Sequence, residues 1–239
     1  MTKKLENVDI IAFGAHPDDV EIGAGGFLAK EAALGYKVGI VDLTRGEMGS
    51  RGTPEIRADE ADRAAKILGA VWRQNLAMPD GSLTVDEESI MKVVRVIRKY
   101  KPSIIITPYW DDRHPDHVRT SQLITEAHFK AGLKKLEPID GAYRPNIILH
   151  YFLNKMENYS FIVDVSKNYP QKMEAISAHE SQFGAAGLKP LAVLGVKAPL
   201  QFIESRDKFQ GAQIGVAYGE AFWVRTPVPI DDPMKIWGA

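Results

Sequence analysis

Two short stretches of this sequence gather side chains able to hold a metal ion and move protons. The first is Ala15-His16-Pro17-Asp18-Asp19-Val20-Glu21, and the second is Asp111-Asp112-Arg113-His114-Pro115-Asp116-His117. In each, two candidate ligands stand three residues apart, His16 with Asp19 and His114 with His117, so a turn or helix start lets both reach one point. The neighbours Asp18 and Asp19 cannot serve one cation equally; one binds it while the other faces substrate or water. Either stretch alone also reads as an Asp-rich turn followed by a helix cap. Taken together, two histidines with one or two aspartates make a three-ligand set with an open position, the arrangement of a catalytic zinc rather than a closed structural one. The same donors form the facial triad of non-haem Fe(II) oxygenases, so Fe2+ stays as the competing metal.

The elements that must position these residues alternate along the chain. Apolar runs over Val8–Ala15 and Val38–Leu43 predict buried strands, the first covered on both faces, and Val71–Ala77 and Ser103–Pro108 read as a third and a fourth strand. Ile147–Leu153 and Phe161–Val165 are expected as later strands. Helical rhythm is read over Ile22–Gly35, over Glu55–Leu68 behind Pro54, and over Glu87–Tyr100, Val118–Gly132 and Lys167–His179. Thr44–Thr53 reads as a long functional loop. Strands alternating with helices predict a Rossmann-like α/β fold, a mostly parallel sheet with helices on both faces, in one domain over residues 1–239. Ligands of such sheets bind outside the carboxyl ends of the strands. Both polar clusters fall at those ends, after the first and fourth strands.

Further segments carry a resemblance. Ala-His-Pro-Asp-Asp-Val-Glu-Ile-Gly at 15–23 and Arg-His-Pro-Asp-His at 113–117 resemble the motifs of the PIG-L/LmbE-type zinc N-acetylglucosamine deacetylase superfamily. The likeness continues through Gly46–Gly52, Arg57–Glu60, Pro79-Asp80-Gly81, Phe161–Ser166, Ser181-Gln182-Phe183, Glu204-Ser205-Arg206 and Ile214–Phe222, nearly the whole chain. The C-terminal half is similar in particular to bacillithiol-pathway deacetylases that act on N-acetylglucosaminyl malate. The resemblance implies one Zn2+ per subunit held by His16, Asp19 and His117. It makes Asp18 the general base, His114 the group that stabilises the oxyanion or protonates the leaving amine, and Asp116 the residue that orients His114. Arg57 would contact substrate. Arg113 is a second candidate for the carboxylates of a malate aglycone, since Arg forks match carboxylates, and Asp80 a candidate for a sugar hydroxyl. Arg57 has a plainer alternative as an i,i+3 partner of Glu60. Such chemistry is what an acetamide needs, because this poor electrophile requires an activated water and a stabilised oxyanion.

Composition removes several other classes. The 239 residues include no cysteine, so disulfides, Cys-ligated metals and thiol nucleophiles are excluded. Net charge is -1, which gives no basic field for nucleic acid or anionic membrane. Met1 to Asp9 is polar and the apolar run from Ile10 breaks at His16, too short for a signal segment or a span, so a cytoplasmic protein is expected. The expected partner is a small-molecule glycoside, with homo-oligomerisation and neither nucleic acid nor membrane. His128, His150 and His179 are read as structural. Two alternatives stand beside the leading reading: a deacetylase of another N-acetylglucosamine conjugate or chito-oligosaccharide, and a nucleotide-binding module using Gly23-Ala24-Gly25-Gly26. The glycine run lacks the G-x-G-x-x-G spacing and follows acidic residues that would repel a pyrophosphate.

Overall fold

Strands β1 (Ile10–Gly14), β2 (Val38–Thr44), β3 (Trp72–Met78), β4 (Ile104–Pro108), β5 (Ile147–Tyr151), β6 (Phe161–Asp164) and β7 (Gly219–Trp223) form one sheet in the order β3-β2-β1-β4-β5-β7-β6. This is a computed structural model, and it describes residues 8–136, 141–155, 157–184 and 199–237. The first five strands pair in parallel, while β7 runs antiparallel to both β5 and β6. From β1 the chain builds outward to β2 and β3, then returns to lay β4 on the other side of β1. The order therefore reverses between β1 and β4, where a crevice opens at the strand ends.

The period of a strand explains how one β1 serves two cores. Ile11 and Phe13 point to one face, against Val93, Val94 and Ile97 of α3 (Glu87–Tyr100) and Leu123 and Ile124 of α4 (Pro115–Ala131). Ile10 and Ala12 point to the other, against Val20 and Leu28 of α1 (Asp19–Ala33), Ala64 and Ala65 of α2 (Pro54–Ile67) and Ala175 of α5 (Tyr169–Ser177). Each large apolar side chain buried this way contributes about 1.5–3 kcal/mol. Local caps start the helices. Thr53 accepts from the Ile56 amide ahead of α2, with Pro54 in the first turn, and Asp86 accepts from the Ser89 amide ahead of α3.

Two helices start a full three residues before the sequence expectation, and both differences matter to the site. Helix α1 begins at Asp19 rather than Ile22, and α4 at Pro115 rather than Val118, because the His114 ring itself accepts from the Asp116 amide at 3.2 Å. Asp19 and His117 thus sit on rigid first turns, not in loops. The sequence reading also missed β7 and α7 (Pro199–Gln213). The short helices α6 (Glu180–Phe183) and α8 (Met234–Trp237) complete the elements among the described residues. None of the helices among those residues is long and apolar enough to cross a membrane.

Helix α1 kinks at Ala24, whose φ of -146° and ψ of 16° are not helical. The groups released by the kink are met from far along the chain. The Glu220 carboxylate accepts from the amides of Gly26 at 2.9 Å and Phe27 at 2.6 Å, and Arg206 donates to the Ile22 carbonyl at 2.5 Å. A Cβ at Gly23 would stand 2.1 Å from the Tyr151 ring. The glycine run is therefore close packing inside a buried helix, which overturns the nucleotide-loop alternative.

His150 is structural, as expected, and gives a pH prediction. The ring is buried beside Trp110 and Trp223, and its Nδ1 donates to the Pro108 carbonyl at 3.2 Å. Burial pushes its pKa down to about 4, against roughly 6.5 unfolded. The folded state holds this ring neutral, so its contribution is complete above pH ~6.5 and is lost as pH falls toward 4. At most about 3 kcal/mol of stability should disappear across that window. Urea denaturation at pH 7 and pH 5 should show a flatter pH dependence in His150→Gln than in the wild type. Equal slopes would assign the acid sensitivity to other groups.

Candidate metal centre and active-site cavity

The turn after β1 and the loop after β4 bring their histidines together. Asp19 stands between two imidazoles, with Oδ2 at 3.3 Å from His16 Nδ1 and Oδ1 at 3.2 Å from His117 Nε2. Ring nitrogens of His16, His114 and His117 lie within 4.8 Å of one another, and the His114 and His117 rings stack at 4.7 Å. Clustered imidazoles with a carboxylate between two of them suit zinc chemistry. Each imidazole is also backed on its other nitrogen by a carboxylate. His16 Nε2 is 3.0 Å from Asp80 Oδ1 and 3.5 Å from Asp116 Oδ2, and His117 Nδ1 is 3.0 Å from Asp112 Oδ1. That is the outer partner a metal-binding histidine ordinarily has, so the residues fit the group.

The adjacent carboxylates diverge. Asp18 has φ 150° and ψ -23°, a conformation that costs a non-glycine residue roughly 1–3 kcal/mol. That backbone turns its side chain away from Asp19 toward Arg57, whose Nη2 is 3.4 Å from Asp18 Oδ2. Burial raises the Asp18 pKa, with Arg57 opposing and Asp19 adding to the rise. Burial would raise Asp19 too, but His117 and His16 hold it well below the ordinary carboxylate range. One environment thus separates two neighbouring acids.

These side chains open onto a cavity of about 340 Å³. His16, Asp18, His114 and His117 line it together with Arg113, and Met48, Phe183 and Phe202 supply apolar wall. The volume falls within the range of small-molecule sites. A second cavity of about 340 Å³ lies between α2 and β3, lined by Arg45, Glu55 and Asp62, and holds none of the clustered histidines.

Three of the expected residues have partners that the sequence did not indicate, and two of them, Arg57 and Asp80, line the cavity. Arg57, expected to contact substrate, lines the cavity but is only 4% exposed. Its Nη1 donates to the Gly46 carbonyl at 3.0 Å and its Nη2 to the Pro17 carbonyl at 3.1 Å, beside Asp18. Nor does it pair with Glu60, which instead accepts from the Ser181 amide and hydroxyl at 2.6 and 2.7 Å. Asp80, expected at a sugar hydroxyl, has one oxygen on His16 and the other accepting from the Met48 amide at 2.8 Å. The Asp116 carboxylate, expected at His114, accepts from the Gly81 amide at 2.8 Å and faces His16; only its backbone amide meets His114. His128 hydrogen-bonds the Pro145 carbonyl at 2.9 Å, and His179 lies buried 3.4 Å from Glu21. Asp112 and Asn154 were not singled out by sequence. Asn154 follows β5 and reaches Asp112 only through the β4–β5 pairing.

A doubly wound sheet with a histidine–aspartate cluster at its switch point suits a metal-assisted hydrolase. Residues 11–128 match the family model described as "PIG-L: GlcNAc-PI de-N-acetylase". The diacetylchitobiose deacetylase of Thermococcus kodakarensis is 33% identical over 189 residues, 73% of this chain and 70% of that protein. A Bacillus anthracis protein described as "Probable N-acetyl-alpha-D-glucosaminyl L-malate deacetylase 2" is 29% identical, over 75% of this chain and 83% of that one. Among solved structures, the conserved protein TT1542 from Thermus thermophilus superposes with a TM-score of 0.83 at 37% identity, covering 93% of this chain and 97% of that one. The chain belongs to the PIG-L/LmbE family and is an N-deacetylase hydrolase.

Proposed function

We propose that the protein is a zinc-dependent hydrolase that removes acetate from the acetamide of an N-acetylglucosamine-containing small molecule, with His16, Asp19 and His117 holding the ion. The observation that carries this reading is the divergence of Asp18 from Asp19. One carboxylate lies between two imidazoles, and the other lines the cavity beside Arg57. A bound zinc ion supplies an acidified water and a polarised acetamide carbonyl. Asp18 accepts the proton of the attacking water. His114, lining the same cavity, donates to the developing oxyanion and then to the departing amine as the C–N bond breaks. Arg57 anchors Asp18 to the Pro17 and Gly46 carbonyls, so the base is held where its strained backbone aims it.

The apolar wall of Met48, Phe183 and Phe202 suits the face of a sugar ring, and the diacetylchitobiose relative supports a neutral amino-sugar disaccharide. The N-acetylglucosaminyl malate conjugate is the second reading. It is favoured by the exposed Arg113 on the cavity wall, where a carboxylate of the aglycone could be met. A panel of diacetylchitobiose, N-acetylglucosaminyl malate and free N-acetylglucosamine, assayed for released amine with measured zinc content, tests both. The first should have the highest kcat/KM; a preference for malate moves the assignment to the second. Turnover of none of them by zinc-loaded protein would overturn the reading.

Arg57→Ala should lower kcat/KM for the disaccharide and the malate conjugate alike. A hydrogen bond to a charged group is worth about 1.5–3 kcal/mol, or roughly tenfold to 150-fold. The equality follows from Arg57 meeting Asp18 rather than the aglycone. A loss confined to the malate conjugate would return Arg57 to the role of substrate contact.

A further inference from the structure

The His117 ring is held from behind by a carboxylate that neither spacing nor motif singled out. Asp112 Oδ1 lies 3.0 Å from His117 Nδ1 and also accepts from the His114 amide at 2.9 Å. The Asn154 amide nitrogen donates to both carboxylate oxygens, at 3.0 and 3.1 Å. The Asp112 side chain is 4% exposed and that of His117 8%, so water competes little for this contact.

We propose that Asp112, anchored by Asn154, is the positioning residue of the metal centre: it fixes the His117 ring with its proton on Nδ1 and so presents Nε2 toward Asp19. An ionised carboxylate only accepts, so the nitrogen facing it must carry the hydrogen. Both ring nitrogens face carboxylates, Nδ1 at 3.0 Å from Asp112 and Nε2 at 3.2 Å from Asp19; a metal ion would replace the hydrogen on Nε2, while the one on Nδ1 would stay with Asp112. Without Asp112 the ring has no partner fixing that tautomer, and the Nδ1 proton can no longer be held by charge. The inference rests on the zinc reading above but adds to it a residue outside the ligand set. It also explains why Asp112 and Asn154 come from different strand ends. Asp112 follows β4 and Asn154 follows β5, whose register sets Pro108 opposite Tyr151. The sheet therefore clamps the carboxylate from a neighbouring strand, where the loop alone could not.

Asp112 also ties its own loop through the His114 amide, so the test must separate positioning from loop support. Zinc affinity is measured by competition with a chromophoric chelator, and the His117 Nδ1–H resonance is followed by long-range proton–nitrogen spectra of zinc-loaded protein. Asp112→Ala should weaken zinc binding by roughly 10–100-fold and abolish the slowly exchanging Nδ1–H signal. Asp112→Asn should recover most of the affinity and the signal, because its carbonyl can still accept from Nδ1 while the Asn154 amide turns over to meet its NH2. Asn154→Ala removes the anchor and leaves both His117 contacts, so it should weaken zinc and broaden the signal even if Asp112→Ala fails to fold. Wild-type zinc affinity and an intact Nδ1–H signal in Asp112→Ala or Asn154→Ala would overturn the proposal. Equal zinc loss in Asp112→Ala and Asp112→Asn with the signal intact would also overturn it, leaving only loop support. A wild type that binds no zinc would instead bring down the metal reading itself.

Discussion

Asp18→Asn is expected to keep its zinc and to lose roughly 10²–10⁴-fold in kcat, the usual worth of a positioned general base. The expectation follows from the split between Asp18 and Asp19. Asp19 lies between His16 and His117, whereas Asp18 makes its side-chain contact with Arg57. Asparagine keeps the shape and the contact to Arg57 while losing the ability to take a proton. It is also among the residues that tolerate positive φ best, which matters at a backbone with φ 150°. Metal analysis with steady-state kinetics reads both halves of the prediction. Asp19→Asn in the same assays should lose metal and activity together. If Asp18→Asn lost its zinc yet regained full turnover on metal re-addition, the two roles would have to be exchanged.

Lys172→Ala should cost about 3–5 kcal/mol, the penalty for stranding a buried charge. Lys172 is fully buried, with its Nζ 2.6 Å from both Asp207 Oδ2 and Glu220 Oε1. Arg206 completes the network through Asp207 and reaches the carbonyls of Phe152 and Leu153. Two cations balance two anions here, so removing one leaves a net negative charge in the interior. The loss reaches the active site as well, because Glu220 also meets the two amides released by the kink of α1. That helix carries Asp19 in its first turn. Urea denaturation measures the stability change, which would be a large share of a total stability of about 5–15 kcal/mol. A loss below about 1 kcal/mol would mean that the pairs behave like exposed ones.

Much of the fold is legible in the sequence because its core elements bury apolar side chains with a clear period. The amphipathic pattern predicts a helix over Glu87–Tyr100, and α3 occupies the same residues. The hydrophobic runs of β1, β2 and β4 likewise announce strands, the first covered on both faces, and the polar residues after β1 and β4 announce the crevice. Where burial is polar, that signal fails. Helix α7 buries Arg206, Asp207 and Gln210 beside Ile203, and β7 buries Glu220, so neither follows an apolar pattern. Their residues stand out in the sequence only as a resemblance, and the kink of α1 supplies their physical purpose.

At the site, residue type and spacing single out His16, Asp18, Asp19, His114 and His117 as candidates, because residues three apart at a turn or helix start can share a side of the chain. The sequence by itself therefore pointed, through its resemblance, to the family and to a set of candidate donors. The direction in which each polar side chain finally points was decided by tertiary structure. Arg57 turned to the Gly46 and Pro17 carbonyls, and Asp80 and Asp116 turned to His16 because the 79–81 turn packs beside it. Asp112 gained its place on His117 from Asn154, 42 residues away on the adjoining strand end. A hydrogen bond of a few ångströms depends on which strands lie side by side, and local spacing carries no record of that.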